Sequence, residues 1–504
     1  MELSFVKSYK KSNQSNIKAF CTILLLILPI NFLSQNSLSK KKIPTDSNNF
    51  EKVKRIKLIF ISCLISILFS NVSFPQVTHY WNIQYGTRAT LLGGAVIGSV
   101  SDLSATYYNP GAVVLFQDSR FILSTEAYQL DNYTVKDGVT EGKDLEYSTI
   151  NPAPRFIGYD FNFNFLGDDK LVLSILTRQS SNFDFSATIV DSIDILENSP
   201  GKENLTVGID IEKTMDDVWT GFTYSTKLSE KVGLGATLYF AYRYHSLRQG
   251  TFIQALKSSG DIASGTDIVN YKYNNLRSLL KAGMGINLNP LTLGFTVTTP
   301  SVNIFGSGYA STHLFISGVD TETFASNFQD EVESEYNTPW SFGIGGAYQI
   351  KKVKVHVSAE WYDAVDKYFV LDTDPYRAQS SGEIKTNDLT HEAASVINYG
   401  IGLDYFANEK FIISGSFVTD FTAEVKNTTT NLAPASSWNI YHISAGSTFW
   451  IAKSEITVGL GYSFGSDIIK NNIDLTPSTT GEESTIRNSE LSFTRIKLLL
   501  GFTL

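Results

Sequence analysis

The last fourteen residues divide their side chains into an apolar face and a more polar face. Positions 494, 496, 498, 500, 502 and 504 carry Thr, Ile, Leu, Leu, Phe and Leu, whereas Arg495, Lys497 and Gly501 fall on the other face. Side chains of a β-strand point alternately to its two faces. A membrane barrel needs this division, because one face of each strand meets lipid and the other meets the lumen. Residues 491–504 are therefore predicted to form a wall strand of such a barrel.

The same division recurs upstream in six hairpins with very short turns. In residues 353–361, for example, Val, Val, Val, Ala and Trp alternate with Lys, His, Ser and Glu. The six hairpins, a strand at 121–128 and the final strand give fourteen strands, an even number as in single-chain bacterial barrels. The predicted fold is all-β: a 14-stranded antiparallel transmembrane β-barrel, closed so that no strand edge meets lipid.

The connections at the other end of the hairpins are long and rich in Ser, Thr, Asn, Asp and Gly, and they are predicted to be extracellular loops. They are residues 132–153, 190–217, 246–275, 304–338 and 371–395. A large soluble β-sandwich or solenoid is the structural alternative. It would require neither a lipid-facing strand at the end of the chain nor connections of such unequal length.

Composition agrees with a barrel rather than a helical membrane protein. Cys, Met and Pro are scarce, Tyr, Phe and Gly are plentiful, and the mean hydropathy is −0.05. The long apolar runs lie near the start, at residues 19–33 and 58–74. No later segment has the length and apolar character of a membrane helix.

Residues 1–76 are predicted to be a leader region. Basic residues at 52–57 precede an apolar run, which indicates a signal peptide over about 52–76. The earlier apolar run leaves two interpretations open, an over-extended gene start or a genuine anchor or long leader. Cys21 and Cys63 both lie in this region, so the mature chain would have no thiol chemistry. It would keep 30 basic and 47 acidic residues, a net charge of −17 that disfavours nucleic-acid binding.

Residues 77–117 do not alternate and are predicted to form a compact N-terminal hatch inside the lumen, ahead of the barrel at 118–504. Glycine allows tight turns and close backbone approach, and a residue before proline is kept out of the helical region. The positions that define this segment are Gly86, Arg88, Gly93, Gly94, Asp102, Ser104, Asn109, Pro110 and Gly111.

This run resembles the N-terminal signature of the FadL-type outer-membrane transporters (OMPP1/FadL/TodX), approximately G-x-R-A, G-G-A, D-x-S-A and N-P-A-G. It departs from the pattern at Gly111-Ala112, where the family usually has Ala-Gly. The resemblance implies a bacterial outer-membrane protein that carries long-chain fatty acids or hydrocarbons. Extracellular loops would capture the substrate, a pocket near the hatch would hold it, and it would leave sideways through the wall. Outer-membrane lipids and the barrel-assembly machinery are the implied partners, and no cofactor is implied.

A substrate carboxylate would need a cation in the lumen. By strand parity the candidate head-group contacts are Arg243 with Tyr239, and further lumen cations are Lys281, Lys354, Arg495 and Lys497. Each such cation is more often part of an ordinary lumen ion pair than of a ligand site. Arg88 is expected to pair with a carboxylate that holds the hatch, with Asp102 as the suggested partner. Glycines on the lumen faces either admit the hatch or ease strand curvature.

Other functions were weighed against transport. The six histidines show no metal-site spacing, and His245, His356 and His442 have no evident Ser or Asp partner. We therefore predict no catalytic, metal or cofactor site and no enzyme activity. A related barrel could instead serve protein secretion as a surface shuttle, or act as a structural or receptor protein. A transporter should have an apolar pocket beside Asn109 and Pro110 and a gap in the wall. A shuttle should have an open mouth.

Overall fold

A computed structural model describes residues 79–116, 120–140, 143–150, 153–161, 163, 166–193, 201–319, 322–425, 438–452, 454–471 and 487–504. The leader region lies outside these residues, as do positions 77, 78 and 117 of the predicted hatch. Within the described part, no helix is both long and apolar enough to span a membrane.

Fourteen of the described strands close into one antiparallel barrel, which confirms the predicted fold. In order around the wall they are β1 (Phe121–Thr140), β3 (Ala153–Asp160), β4 (Lys170–Ile193), β5 (Glu203–Ser229), β6 (Val232–Leu256), β7 (Ile262–Asn287), β8 (Leu291–Thr298), β11 (Ser341–Ile350), β12 (Val353–Tyr362), β17 (Val396–Asn408), β18 (Phe411–Asp420), β19 (Ile440–Ile451), β20 (Ser454–Asn471) and β21 (Arg487–Thr503). The last strand pairs with the first, from Ile122 opposite Thr503 to Val135 opposite Leu491. The sheet therefore closes on itself, as a barrel in lipid requires.

The outer surface of the barrel is apolar, as the sequence predicts. In β21, Ile496 and Leu500 are exposed, whereas Arg495 and Lys497 point into the lumen and are buried. The outward residues of β17 follow the same rule and are exposed aliphatic and tyrosine side chains. A continuous apolar exterior around a polar interior is the arrangement of a membrane-spanning barrel.

The predicted long loops are wrong in large part, because the strands continue through them. β5 and β6 stay paired from Asn204 opposite Leu256 to Ser229 opposite Val232. At about 3.3 Å per residue a strand as long as β5 spans roughly 90 Å, far more than a bilayer needs. Beyond the membrane the alternation inverts: Leu205, Val207 and Ile209 point inward and are buried, while polar residues point outward. An apolar inner face and a wetted outer face are what a strand requires once it leaves lipid.

These extensions enclose a second hydrophobic core at the end of the barrel with the long strands. It includes Phe183, Leu205, Tyr271 and Leu371. Around it lie β2 (Lys143–Ile150), β9 (Val302–Ser317), β10 (Thr323–Glu333), β13 (Val365–Leu371), β14 (Tyr376–Arg377), β15 (Ile384–Lys385) and β16 (Leu389–Ala393). β2 pairs with β1, β9 with β7 and β10, β13 with β16, and β14 with β15. This end of the barrel is therefore packed with side chains.

The hatch, residues 79–116, packs inside the barrel. It contains α1 (Arg88–Leu91), α2 (Ala105–Tyr108), a 3₁₀ turn (Pro110–Ala112) and α3 (Val113–Phe116). A Cβ on Gly111 would clash with the carbonyl oxygens of Gly233 and Gly283, and a Cβ on Gly235 would clash with that of Pro110. The lumen glycines thus admit the hatch backbone, which is one of the two roles considered for them.

Candidate functional site

A cavity of ≈ 50 Å³ lies in the lumen against the hatch. The hatch contributes Tyr80 and Tyr107, and the wall contributes Arg178, Trp219 and Lys281. Its other lining residues are Gln179, Asp217, Arg277, Leu279, Thr298, Tyr336, Asn337, Thr338, Pro339, Ser341, Glu360, Tyr362 and His391. Aromatic walls and several convergent charges make this a candidate binding site. We call it the lumen pocket.

A β-bulge on β4 lets Arg178 and its neighbour Gln179 both face the lumen pocket. The register between β4 and β5 skips Arg178, passing from Thr177 opposite Val218 to Gln179 opposite Asp217. Buried positions on β4 change from even to odd numbers there, so Arg178 and Gln179 both point inward. Such bulges commonly redirect a side chain at a functional site.

The Arg178 guanidinium lies among aromatic rings. Its central carbon is 6.0 Å from the ring centre of Tyr80, 5.9 Å from that of Tyr107 and 5.8 Å from that of Trp219. The side chain is 7% exposed, and its buried Nη1 has no hydrogen-bond partner among the described residues. Ring faces attract a cation but leave its N–H donors unsatisfied. Arg178 therefore retains capacity for an acceptor in the pocket.

The roof of the pocket is residues 336–339 with His391, and it rests on two further arginines. Arg277 Nη2 and Arg243 Nη1 both reach Asp217 Oδ2, at 2.5 and 3.2 Å. The Tyr336 ring covers both guanidinium groups, with its centre 3.9 Å from Arg243 Cζ and 4.8 Å from Arg277 Cζ. One carboxylate thus serves two arginines.

Positive charge exceeds negative charge around the pocket. Lys281 pairs with Glu360 at 3.4 Å and lies 4.8 Å from the centre of the Tyr107 ring. Among the described residues that line the pocket, three buried cations face two buried carboxylates. These are Arg178, Arg277 and Lys281 against Asp217 and Glu360. Buried charge without a counter-charge is costly, so an anionic ligand would be favoured here.

His391 packs against the tyrosines of the roof as a neutral imidazole. It stacks on Tyr336 with ring centres 5.5 Å apart and meets Tyr368 edge-on at 5.8 Å. Burial, with a smaller contribution from the Arg243 charge, lowers the pKa of His391 from 6.5 to about 3. The closed roof therefore requires an uncharged imidazole at neutral pH.

The wall next to the pocket contains a gap in its hydrogen-bond ladder. β3 and β4 pair only from Asp160 opposite Val172 to Phe156 opposite Leu176, although β4 continues to Ile193. Among the described residues, β4 beyond Leu176 has a strand partner on its β5 side alone. We call this region the wall gap.

The residues of β3 explain why pairing stops. Arg155 is skipped in the register with β1, which indicates a bulge, and its side chain turns inward to Glu126 at 2.6 Å. Pro154, the residue before Arg155, has no N–H to donate to a ladder. Its carbonyl oxygen instead accepts a hydrogen bond from Thr177 Oγ1 at 3.1 Å. The gap is built into the local sequence.

Both predicted head-group residues lie in the lumen but have protein partners. Arg243 donates to Gln179 Oε1 at 2.8 Å and to the Tyr273 hydroxyl at 3.1 Å, besides Asp217. Tyr239 donates to the Thr106 carbonyl of the hatch at 2.9 Å. A head group at Arg243 would have to share it with these acceptors.

The suggested pairing of Arg88 with Asp102 is wrong. Arg88 Nε lies 3.6 Å from Asp404 on β17, so its carboxylate partner belongs to the wall. Asp102 instead accepts hydrogen bonds from the Thr87 amide and hydroxyl and from the Ser104 amide, at 3.0, 3.1 and 2.9 Å. Through these bonds, Asp102 stabilises the hatch backbone at Thr87 and Ser104.

The remaining hatch motif residues shape its backbone. Asn109 donates to the carbonyls of Ile97 and Met284 at 2.9 and 3.0 Å, and it accepts from the Gly111 amide at 3.1 Å. Gly86, Gly93 and Gly94 have φ of 90°, 61° and 77°, where side chains are disfavoured. Pro110 and Asn109 pack directly against wall glycines, so the pocket lies beside Tyr80 and Tyr107 instead.

Two histidines have the Ser and Asp partners that the sequence did not reveal. His356 Nδ1 is 2.7 Å from Ser99 Oγ, and its Nε2 is 3.1 Å from Asp404. His442 similarly contacts Ser463 at 2.7 Å. All of these side chains are buried. The Ser99 contact joins the hatch to the wall and is enclosed by both.

Two more of the lumen cations named from the sequence, Arg495 and Lys497, form ion pairs. Arg495 meets Asp131 at 2.6 Å, and Lys497 meets Glu126 at 2.7 Å. Within the described residues, no group of three or more His, Cys, Asp or Glu side chains could hold a metal ion.

Sequence reasoning missed Arg178, Arg277, Trp219 and Tyr336. Arg277 has the same strand parity as Lys281, and Arg178 has that of Val172 and Leu176, so parity could have found both. Tyr336 comes from a long connection that carries no periodic signal.

Solved structures that share this fold include a FadL homologue and TodX. A FadL homologue from Pseudomonas aeruginosa matches at 13% identity and TM-score 0.54, over 84% of this chain and 99% of its own. The toluene transporter TodX from Pseudomonas putida matches at 14% and 0.52, over 86% and 99%. The ΔS2S3 mutant of TodX, a monoaromatic hydrocarbon channel, matches at 14% and 0.58, over 83% and 98%. No protein-family model and no curated protein sequence matches the chain. The resemblance seen in the hatch motif is thus confirmed at the level of the fold.

Proposed function

We propose that this chain is a bacterial outer-membrane channel for hydrophobic small molecules that carry an anionic head group, such as long-chain fatty acids. The observation that carries this proposal is Arg178, a buried cation surrounded by aromatic rings that retains an unsatisfied N–H donor. A carboxylate in the lumen pocket would accept from that donor and offset the excess positive charge.

The same rings suit the start of an alkyl chain, since each buried CH₂ favours an apolar site by about 0.8 kcal/mol. A whole chain would not fit in the cavity of ≈ 50 Å³. For comparison, an engineered cavity of about 150 Å³ holds benzene. Binding therefore requires a neighbouring element, either the roof or the hatch, to move.

Release would proceed sideways through the wall gap. Phe156 lies at the edge of the gap and Arg178 lies one residue beyond Thr177, so the gap and the lumen pocket share one level of the wall. A hydrophobic molecule that leaves at this edge of the gap, beside the outward-facing Ile157 and Ile175, would enter the bilayer without crossing water. Two of the solved neighbours are described as a monoaromatic hydrocarbon channel and a toluene transporter, which supports a hydrophobic cargo.

The packing of the long-strand end favours transport over a secretion shuttle. A shuttle would need an open mouth, but buried residues such as Phe183, Leu205 and Leu371 fill this region. Capture of substrate would begin at these outer elements.

Paired ligands of equal chain length test the proposal. We would measure binding of a long-chain fatty acid and of the matching fatty alcohol to the purified protein in mild detergent. Loss of one charge-assisted hydrogen bond in Arg178→Met should weaken binding of the acid roughly 10- to 100-fold. Binding of the alcohol should change little. Arg248→Met, which removes an exposed arginine paired with Glu212, is the matched control. Equal loss for acid and alcohol would refute a head-group site at Arg178.

A further inference from the structure

We propose that Tyr85 of the hatch is the positioning residue that keeps the passage between the lumen pocket and the wall gap closed. This inference rests on the proposed function, because it concerns the step that follows binding. It adds a residue to that step and assigns the hatch an active part in it.

Tyr85 is bonded to the edge of the wall gap. Its hydroxyl donates to the carbonyl oxygen of Thr177 at 3.0 Å. Thr177 is the first residue of β4 beyond the last pair with β3. The hatch thus holds the wall by a side-chain hydrogen bond at the point where the ladder ends.

The Tyr85 ring also contacts both sides of the passage. It meets Tyr107, which lines the pocket, edge-on with ring centres 4.6 Å apart. On the other side its centre lies 6.1 Å from that of Phe156, the last β3 residue paired with β4. Tyr85 has no exposed surface, so no solvent path runs past it. A chain moving from pocket to gap would have to displace this ring.

The base of Tyr85 is fixed while its tip can be released. The Tyr85 amide donates to the Tyr108 hydroxyl at 2.9 Å, within the hatch. The hydroxyl bond to Thr177 is the polar tie between this ring and the gap edge. Rotation of the side chain would break that bond and leave the hatch backbone in place. One such bond contributes about 1 kcal/mol net, which corresponds to about a fivefold change in rate.

The variant Tyr85→Phe removes the hydroxyl and keeps the ring. We would reconstitute the full-length protein in lipid vesicles and follow transfer of a fluorescent long-chain fatty acid into the bilayer, together with its equilibrium affinity in detergent. Tyr85→Phe should release the acid about fivefold faster and bind it with unchanged affinity. If Tyr85 only stabilised the hatch, Tyr85→Phe would not change the release rate while leaving the affinity unchanged.

Ser416→Ala is the matched control. Ser416 Oγ donates to the Leu91 carbonyl at 2.9 Å, so its loss removes one bond between wall and hatch on β18, away from the gap. Faster release in Tyr85→Phe but not in Ser416→Ala supports the proposal. Unchanged release in Tyr85→Phe, or equal acceleration in both variants, overturns it. If the wild-type protein neither binds nor releases the acid, the proposed function fails and this inference fails with it.

Discussion

Phe156 of β3 and Leu176 of β4 form the last cross-strand pair between these two neighbouring wall strands. Beyond it, two bulges lie side by side, at Arg155 on β3 and at Arg178 on β4. The β3 bulge turns Arg155 inward, and the β4 bulge brings Gln179 to the inner face beside Arg178. The charge that would hold a head group and the opening that would release it therefore lie at the same local irregularity.

Closing the wall gap covalently should stop release. Thr177 Oγ1 lies 3.1 Å from the Pro154 carbonyl, so cysteines at these two positions would be near each other. In the double variant Pro154→Cys/Thr177→Cys, oxidation should abolish transfer of fatty acid into vesicles, and a reductant should restore it. The control pair is Tyr159→Cys/Leu173→Cys, which are opposite each other in the intact ladder of the same strands. Full transfer by the oxidised gap variant would exclude this exit.

Displacing the hatch should make the barrel conduct ions. Gly235 on β6 faces the Pro110 carbonyl with no room for a Cβ, so Gly235→Val would push the hatch from the wall. Valine suits a strand, and the barrel itself should still form. We expect clear ion conductance in planar bilayers for this variant and little for the wild-type protein.

Gly208→Val provides the comparison for that experiment. The nearest atom to a Cβ at Gly208 is 3.7 Å away, in Phe252, so this change is accommodated. It lies on β5, in the extension beyond the membrane. If both variants remain closed, the close contact between hatch and wall glycines is not what seals the lumen.

Strand parity predicted the membrane part of the wall well. It failed where the outer face of a strand no longer meets lipid. In β21 every predicted face is confirmed, because one side meets lipid throughout. In β5 the apolar face moves from outside at Phe222 to inside at Leu205. If the apolar face of every strand is assumed to meet lipid, the inverted stretch is mistaken for a loop, although its period of two is preserved.

Part of the candidate site was less accessible to sequence reasoning, because it depends on a single-residue shift in β4. A bulge at Arg178 moves every later β4 side chain to the opposite face relative to simple alternation, so Gln179 and Phe183 point inward. The partner of Arg88 also lies more than three hundred residues away, at Asp404. Periodicity reports which face a residue takes and not which distant residue it meets.

The roof of the lumen pocket should open as the pH falls. His391 is neutral in the closed roof, where burial and the nearby Arg243 lower its pKa to about 3, whereas a solvent-exposed imidazole has a pKa of about 6.5. Because the closed roof holds His391 in its neutral form, the closed form has its full stability above pH 6.5. That stability is lost as the pH falls from 6.5 towards 3, by about 1.4 kcal/mol for each unit.

Hydrogen exchange of residues 334–339 at a series of pH values measures this opening. Protection in the wild-type protein should fall below pH 6.5 relative to His391→Phe, which keeps a ring against Tyr336 and cannot be protonated. Comparison of the two proteins at each pH removes the intrinsic pH dependence of exchange. His313→Phe, which replaces a histidine on β9 next to Phe324, should follow the wild-type curve. If His391→Phe loses protection in parallel with the wild-type protein, protonation of His391 does not control the roof.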